Sequence, residues 1–299
     1  MPQTKTQLTF TVGLPTYYGA PAIVATAKSI RASVGVGEFR LIVTVDGKPL
    51  QPEIQEQLAA LDAEIIFNPI RGGQTTRIKQ LIQLCETDIL ILTQDDVLFE
   101  PTTVAELLKT FSDQPAITMI GARIKPIPAE KRFERIIEMG VRLNYVIGRR
   151  WNGGDNYLLA IGRCLAFRSQ FVKRCSIPDE IINSDAYLYF ENKRRGGKFI
   201  CAEHAVVFNK SQQKLKEYVK QSRRFKNSFN ELGKYLPNIK NEYVFPKSLA
   251  VYQLFRELLG HPLLTGGYLG LQFYVRLAPS GAVVKKEKKY WETDVSTKR

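Results

Sequence analysis

The stretch DILILTQDDVLFEP, residues 88–101, carries four consecutive aliphatic residues, Ile89 to Leu92, straight into a pair of acids, Asp95 and Asp96. An apolar run without alternation reads as a strand buried on both faces, the kind found in parallel sheets covered by helices. Two adjacent carboxylates repel each other. Their placement where such a strand surfaces calls for a cation or for hydrogen bonds that offset the repulsion.

Upstream of this strand the same grammar repeats. LTFTVGLP, FRLIVTVDG and EIIFNP read as strands, and APAIVATAKSIRAS, PEIQEQLAALDA and TTRIKQLIQLCE as the helices between them. Strand and helix alternating through short connections predict a mostly parallel central sheet with helices on both faces. Ligands bind such sheets beyond the carboxyl ends of the strands. LPTYY, VDGK, NPIRGG and TQDD all fall at that edge. A hard divalent cation held against phosphate oxygens would offset the charge of Asp95 and Asp96 there. With Asp46 ending the second strand and Arg71, Gly72 and Gly73 ending the third, the edge suggests a nucleotide diphosphate site.

Further on, PTTVAELLKTF reads as a helix, and GRRWNGGDNYL (148–158) as a mobile or binding loop. GRCLAFRSQFVKRC reads as a strand leading into a short helix, and FICAEHAVVFN as another strand. From Ser211 a long helix is expected, with Leu215, Tyr218, Phe225, Phe229 and Leu232 on one face and Lys214, Lys216, Lys220 and Arg223 on the other. KSLAVYQLFRELLG and LLTGGYLGLQFYVRL then suggest a helical hairpin at a membrane interface rather than a bilayer span, which needs about 20 apolar residues. VVKKEKKYW would be its basic and aromatic anchor. The expected organisation is a body over 1–230, with a donor half to about residue 110 and an acceptor half beyond it, and a C-terminal helical extension over 231–299.

Charge is unevenly placed. Residues 1–110 hold 9 Lys and Arg against 12 Asp and Glu, whereas residues 111–299 hold 34 against 17. The second half therefore wants an anionic partner. Cys85, Cys164, Cys175 and Cys201 are scattered, without a CxxC pair, and read as reduced thiols. The start MPQTKTQLTF lacks the pattern of a signal peptide, and the chain reads as cytoplasmic, peripheral at the inner face of the cell membrane.

These residues carry a resemblance. The chain resembles the inverting family 2 glycosyltransferases of GT-A fold over roughly residues 8–230: LPTYY matches the turn after the first strand, VDG the Asp ending the second, and QDD the Asp-x-Asp motif, with Gln94 in place of its first acid. The resemblance implies that Pro15, Thr16 and Asp46 hold the nucleobase and ribose, that Arg77 sits near the diphosphate, that Asp95 contacts the donor and that Asp96 ligates Mn²⁺ or Mg²⁺. NSDAY is similar to the family's Glu-Asp acceptor motif, making Asp185 the catalytic base, with Ser184 replacing Glu. An acceptor hydroxyl must lose its proton as it attacks, which is why a carboxylate belongs there. QSRRF is similar to the QxxRW signature, with Phe225 for Trp; Arg224 would steady the departing diphosphate, and Gln221 and Phe225 would shape the acceptor end. His204 is implied as a second metal contact, and Trp151 as a residue that stacks on a sugar ring or pins its loop.

The function implied is metal-dependent, inverting transfer of a sugar from a nucleotide-diphosphate sugar, UDP-sugar favoured, to a hydroxyl of a lipid-linked or polysaccharide acceptor at an anionic membrane surface. Two other readings compete. The basic, aromatic second half would suit a nucleic-acid-binding module, but no nucleic-acid motif appears and no such partner is expected. A sugar nucleotidyltransferase on the same fold would begin with a GxGxRL-like segment, and VGLPTYYGA is not that.

Overall fold

The computed structural model describes residues 8–277 apart from 18, 20, 238 and 240–243, and omits the side chains of 224 and 226–229. In chain order the donor half holds β1 (Phe10–Thr16), α1 (Ala22–Arg31), β2 (Arg40–Asp46), α2 (Pro52–Ala59), β3 (Ala63–Asn68) and α3 (Gln74–Leu84). β4 (Ile89–Thr93), β5 (Val97–Phe99), α4 (Thr103–Asp113), β6 (Ile117–Pro126) and α5 (Arg132–Arg150) follow. Then come β7 (Cys164–Arg168), α6 (Ser169–Val172), α7 (Ser184–Arg194), β8 (Lys198–Asn209) and α8 (Leu215–Tyr235). Two further helices, α9 (Lys247–Gly260) and α10 (Pro262–Leu277), end the described chain.

The strands form one sheet in the order β3-β2-β1-β4-β7-β6-β8-β5. β3, β2, β1 and β4 are parallel, as expected from their aliphatic runs. Successive residues of β4 feed opposite faces: Ile89 and Ile91 enter the core shared with α1 and α4, Leu90 and Leu92 the core shared with α3 and α7. All four are buried, each contributing roughly 1.5–3 kcal/mol relative to exposure. This is why the run shows no polar alternation.

Beyond β4 the sheet becomes mixed. β7 is antiparallel to both β4 and β6, β8 is parallel to β6, and β5 is antiparallel to β8. Three of these elements, β5, β6 and α5, were not anticipated. α5 begins where the Glu134 carboxylate accepts the amides of Glu130 and Lys131 (2.8 and 3.0 Å), satisfying donors a helix start leaves open. Its last turn takes up residues 148–150 of the segment expected to be a loop, and a 3₁₀ turn, Trp151–Gly154, follows.

α9 and α10 lie against α5. Gly140 of α5 lets the Tyr268 ring pack on its backbone, and Arg142 pairs with Glu257 at 2.5 Å. α8 runs unbroken through the expected boundary at residue 230. The basic stretch 283–291 lies outside the described residues. All four cysteines are free thiols.

Candidate active site

Strand ends build the site. Thr16 closes β1, Asp46 closes β2 and Thr93 closes β4. The Thr16 hydroxyl donates to Asp95 Oδ2 at 2.6 Å and accepts the Gly19 amide at 3.2 Å. β1 and the acidic turn after β4 are thereby clamped together, with Pro15 buried in β1 behind them.

Asp46 is occupied by the protein itself. Its carboxylate accepts the amides of Gly72 (2.8 Å) and Gly73 (3.0 Å) and the Arg77 Nε–H (2.9 Å). Gly73 stands at φ 88° at the start of α3, a conformation open to glycine without strain. Arg77 also donates to Gln80 at 2.9 Å and is nearly buried. The residue expected at the diphosphate therefore points into the β2–α3 junction. Arg71 is half-buried, its guanidinium 3.9 Å over the Tyr17 ring.

Asp96 is held differently. Its side chain is 8 % exposed, its Oδ1 has no hydrogen-bond partner, and the nearest cation is Arg163, whose Nη1 lies 3.8 Å away, likewise unbonded. Buried polar atoms without partners are rare in folded proteins. A carboxylate and a guanidinium left facing each other in this way suit a ligand that brings a cation to one and an anionic oxygen to the other. Among the described residues no group of three His, Cys, Asp or Glu forms a ready-made metal cage. One carboxylate with an open oxygen fits a metal whose other ligands come with a phosphate.

Arg163 sits on a loop pinned from two sides. Thr93 Oγ1 donates to the Arg163 carbonyl at 2.6 Å, and the Gly162 amide donates to Asp185 Oδ2 at 2.8 Å. A Cβ on Gly162 would lie 3.0 Å from that same oxygen, so a side chain there would press on the carboxylate. Asp185 stands in the first turn of α7, whose start is capped by Asn183. The loop before it is tied to α3 by Thr75, which donates to the Ile181 carbonyl, and to α8 by Glu231, which accepts the Ile182 amide.

Asp185, Gln94, Arg163, Asn183, Gln221 and Phe225 line one pocket. The structure thus brings the expected base together with two expected acceptor residues and with Gln94. Gln221 accepts a hydrogen bond from Gln212, and Phe225 is half exposed at the rim. Arg224 lies on α8 between them, its side chain outside the described residues.

Two expected site residues lie elsewhere. Trp151 meets Tyr157 edge-on at 5.2 Å and lines a separate cleft. His204 is exposed, where the β6–β8 register shifts. The residue of β8 that pairs with Val97, next to Asp96, is Asn209, roughly 15 Å further along an extended strand than His204. The two expected metal ligands are therefore apart. Gly162 and Arg163 are the members that sequence reasoning missed. The antiparallel pairing of β7 with β4 places them here, and nothing in the linear sequence announces that pairing.

Solved structures share this architecture. A mannosyltransferase of Pyrobaculum calidifontis, in complex with GDP-Man and Mn²⁺, matches at TM-score 0.61 and 14 % identity, over 91 % of this chain and 83 % of that one. Glucosyl-3-phosphoglycerate synthase of Mycobacterium tuberculosis, with Mn²⁺, UDP and glucosyl-3-phosphoglycerate, matches at 0.55 and 15 %, over 75 % and 80 %. Residues 1–349 of TarS from S. aureus match at 0.56 and 12 %, over 94 % and 76 %. At such identities the likeness speaks for the fold, which is GT-A. No curated protein matches the chain. The model of glycosyl transferase family 2 matches residues 11–175, the stretch that runs from β1 through the acidic turn to α6. The protein therefore belongs to glycosyl transferase family 2 and is a glycosyltransferase.

Proposed function

We propose that the protein transfers a sugar from a nucleotide-diphosphate sugar, UDP-sugar favoured, to a hydroxyl of a lipid-linked or polysaccharide acceptor, with inversion. The observation that carries this reading is the pocket that joins Asp185 to Arg163, beside the unsatisfied oxygen of Asp96. Asp96 would hold a divalent cation, Mn²⁺ or Mg²⁺. That ion supplies charge neutralisation on the leaving diphosphate.

The chain's own residues do the rest. Asp185, oriented by the Gly162 amide, takes the proton of the attacking hydroxyl. Arg163 turns from Asp96 to a phosphate oxygen, a contact that guanidinium geometry favours. Thr16 holds Asp95 in place at the donor side. In-line attack opposite the leaving group inverts the anomeric carbon.

We place the acceptor at an anionic membrane surface, in keeping with a body that carries a C-terminal helical extension. Two features support this. α9 exposes Val251, Phe255 and Leu259, and α10 exposes Leu269, Phe273 and Leu277, each set at a spacing of four residues and so on one helix face. Leu259 is 71 % and Phe273 63 % exposed. Such apolar stripes suit helices lying in a bilayer interface, and no described helix is long and apolar enough to cross one.

The test is a thermal-shift panel of UDP, GDP, CDP and TDP with Mn²⁺, Mg²⁺ or EDTA, on wild type and Asp96→Ala. A ligand confined to the folded state adds about 2.7 kcal/mol at a hundredfold excess over Kd. A cation-dependent shift for one nucleotide, absent in Asp96→Ala, is expected. Equal shifts in EDTA, or none with any nucleotide, would overturn the donor site.

A further inference from the structure

From the second cleft we infer a saccharide subsite that holds the part of the acceptor beyond the reacting sugar. The cleft encloses about 420 Å³ and is lined by Trp151, Asn152, Asp155, Tyr157, Tyr189 and Lys193, among others. The inference rests on the transferase reading given above and names a site which that reading leaves unassigned.

Position along α7 links the two pockets. Asp185, Tyr189 and Lys193 are four residues apart in turn and share one face of the helix. Tyr189 therefore stands about 6 Å and Lys193 about 12 Å along the axis from the base. The face is closed at its middle, where Tyr189 is buried, so linked sugars with a terminal hydroxyl at Asp185 would bridge from the base to the cleft at its exposed Lys193 end.

The lining has the matching chemistry. Aromatic rings present a negative face to the weakly positive C–H face of a pyranose. Trp151 and Tyr157 supply such rings at the rim. Asp155 accepts the Tyr189 hydroxyl at 2.9 Å and pairs with Lys193 at 3.4 Å, which concentrates donors and acceptors for sugar hydroxyls at one end. Asn156 donates to the carbonyls of Gly148 (2.7 Å) and Trp151 (2.8 Å), fixing the turn that carries the rim before any ligand arrives. A few convergent polar groups on an aromatic wall are the make-up of a small-molecule site.

Trp151 is one of two tryptophans in the chain, so Trp291→Phe leaves a single emitter in the cleft. That protein is titrated with maltotriose, cellotriose, chitotriose and mannotriose, and separately with UMP. At least one trisaccharide is expected to change Trp151 emission saturably. Its apparent Kd should rise at least tenfold in Asp155→Asn and in Lys193→Met, the latter at an exposed position that tolerates replacement. Binding should persist in Asp185→Asn. A flat response to all four trisaccharides, a response to UMP alone, or a Kd unmoved by either cleft variant would overturn the subsite. The nucleotide panel on the same protein separates the two readings: nucleotide shifts with a silent Trp151 sink the subsite and leave the transferase reading standing, and the converse sinks only the latter.

Discussion

Replacing Asp46 by Asn separates two roles that sequence alone runs together. The carboxylate accepts three hydrogen bonds, from Gly72, Gly73 and Arg77. Its side chain is 6 % exposed and that of Arg77 is 9 % exposed. Asparagine keeps one acceptor oxygen and turns an N–H₂ group toward donors. It also leaves the Arg77 charge buried without its counter-ion. Breaking a buried pair from one side costs about 3–5 kcal/mol, a fall in Tm of about 6–20 °C at 2–4 °C per kcal/mol. Urea unfolding followed by far-UV circular dichroism would read the loss as a lower midpoint at unchanged slope. Adding Arg77→Gln removes the stranded charge, so the double variant should recover about 1–3 kcal/mol relative to the sum of the two single losses. If Asp46→Asn cost less than about 1 kcal/mol yet abolished nucleotide binding, Asp46 would be a donor contact first, and the structural reasoning would be refuted.

Three other outcomes follow from the same geometry. Asp185→Asn should lower kcat by about 10²–10⁴ in a radiolabelled sugar-transfer assay while the nucleotide-induced thermal shift stays as in wild type; a loss of nucleotide binding would move Asp185 out of the base role. Burial opposes ionisation of Glu191, but hydrogen bonds from Arg194 and Arg195 outweigh it and hold its pKa below the ordinary carboxyl range. A lowered folded pKa gives stability that is present above the unfolded value of about 4.3 and lost as pH falls through the folded one. The urea midpoint of wild type should therefore drop more steeply on acidification than that of Glu191→Gln, and parallel curves would contradict it. Gly140→Leu should push α10 off α5, since any Cβ there would lie 2.3 Å from the Tyr268 ring. The overpacking costs about 1–3 kcal/mol, and limited proteolysis should then cut within 247–277 faster than in wild type.

The donor half was legible because β1, β2 and β4 are buried on both faces and end in polar loops, β3 being the half-exposed edge strand beside them. Ile89 to Leu92 show the rule, and LIVTV of β2 repeats it. The acceptor half obeys other constraints. β6 ends in Arg123, Ile124, Lys125 and Pro126, half exposed, and so loses the apolar signature halfway along. α5 buries Ile137, Leu143 and Ile147 at helical spacing, but Gly140 and Gly148 interrupt the pattern. Their reason is tertiary: the Tyr268 ring and the Leu159 side chain press where a Cβ would stand. β5 is three residues long, below what periodicity can register.

The acids at the strand ends make the same point about function. Asp46 and Asp96 both follow aliphatic runs, both reach the ligand-facing edge, and both are nearly buried. Sequence gives them equal standing. The fold does not, because Asp46 meets two amides and a guanidinium within hydrogen-bond distance, whereas Asp96 Oδ1 meets no donor and faces Arg163 across 3.8 Å. A buried acid that the protein has satisfied holds the protein together, whereas one with an open oxygen beside a guanidinium nitrogen also without a hydrogen bond suits a ligand that brings charge to both. Which strand-end acid keeps an open oxygen is thus decided by which donors the next loop brings back to it. That depends on chain geometry after Gly73 and Gly162, not on the acid.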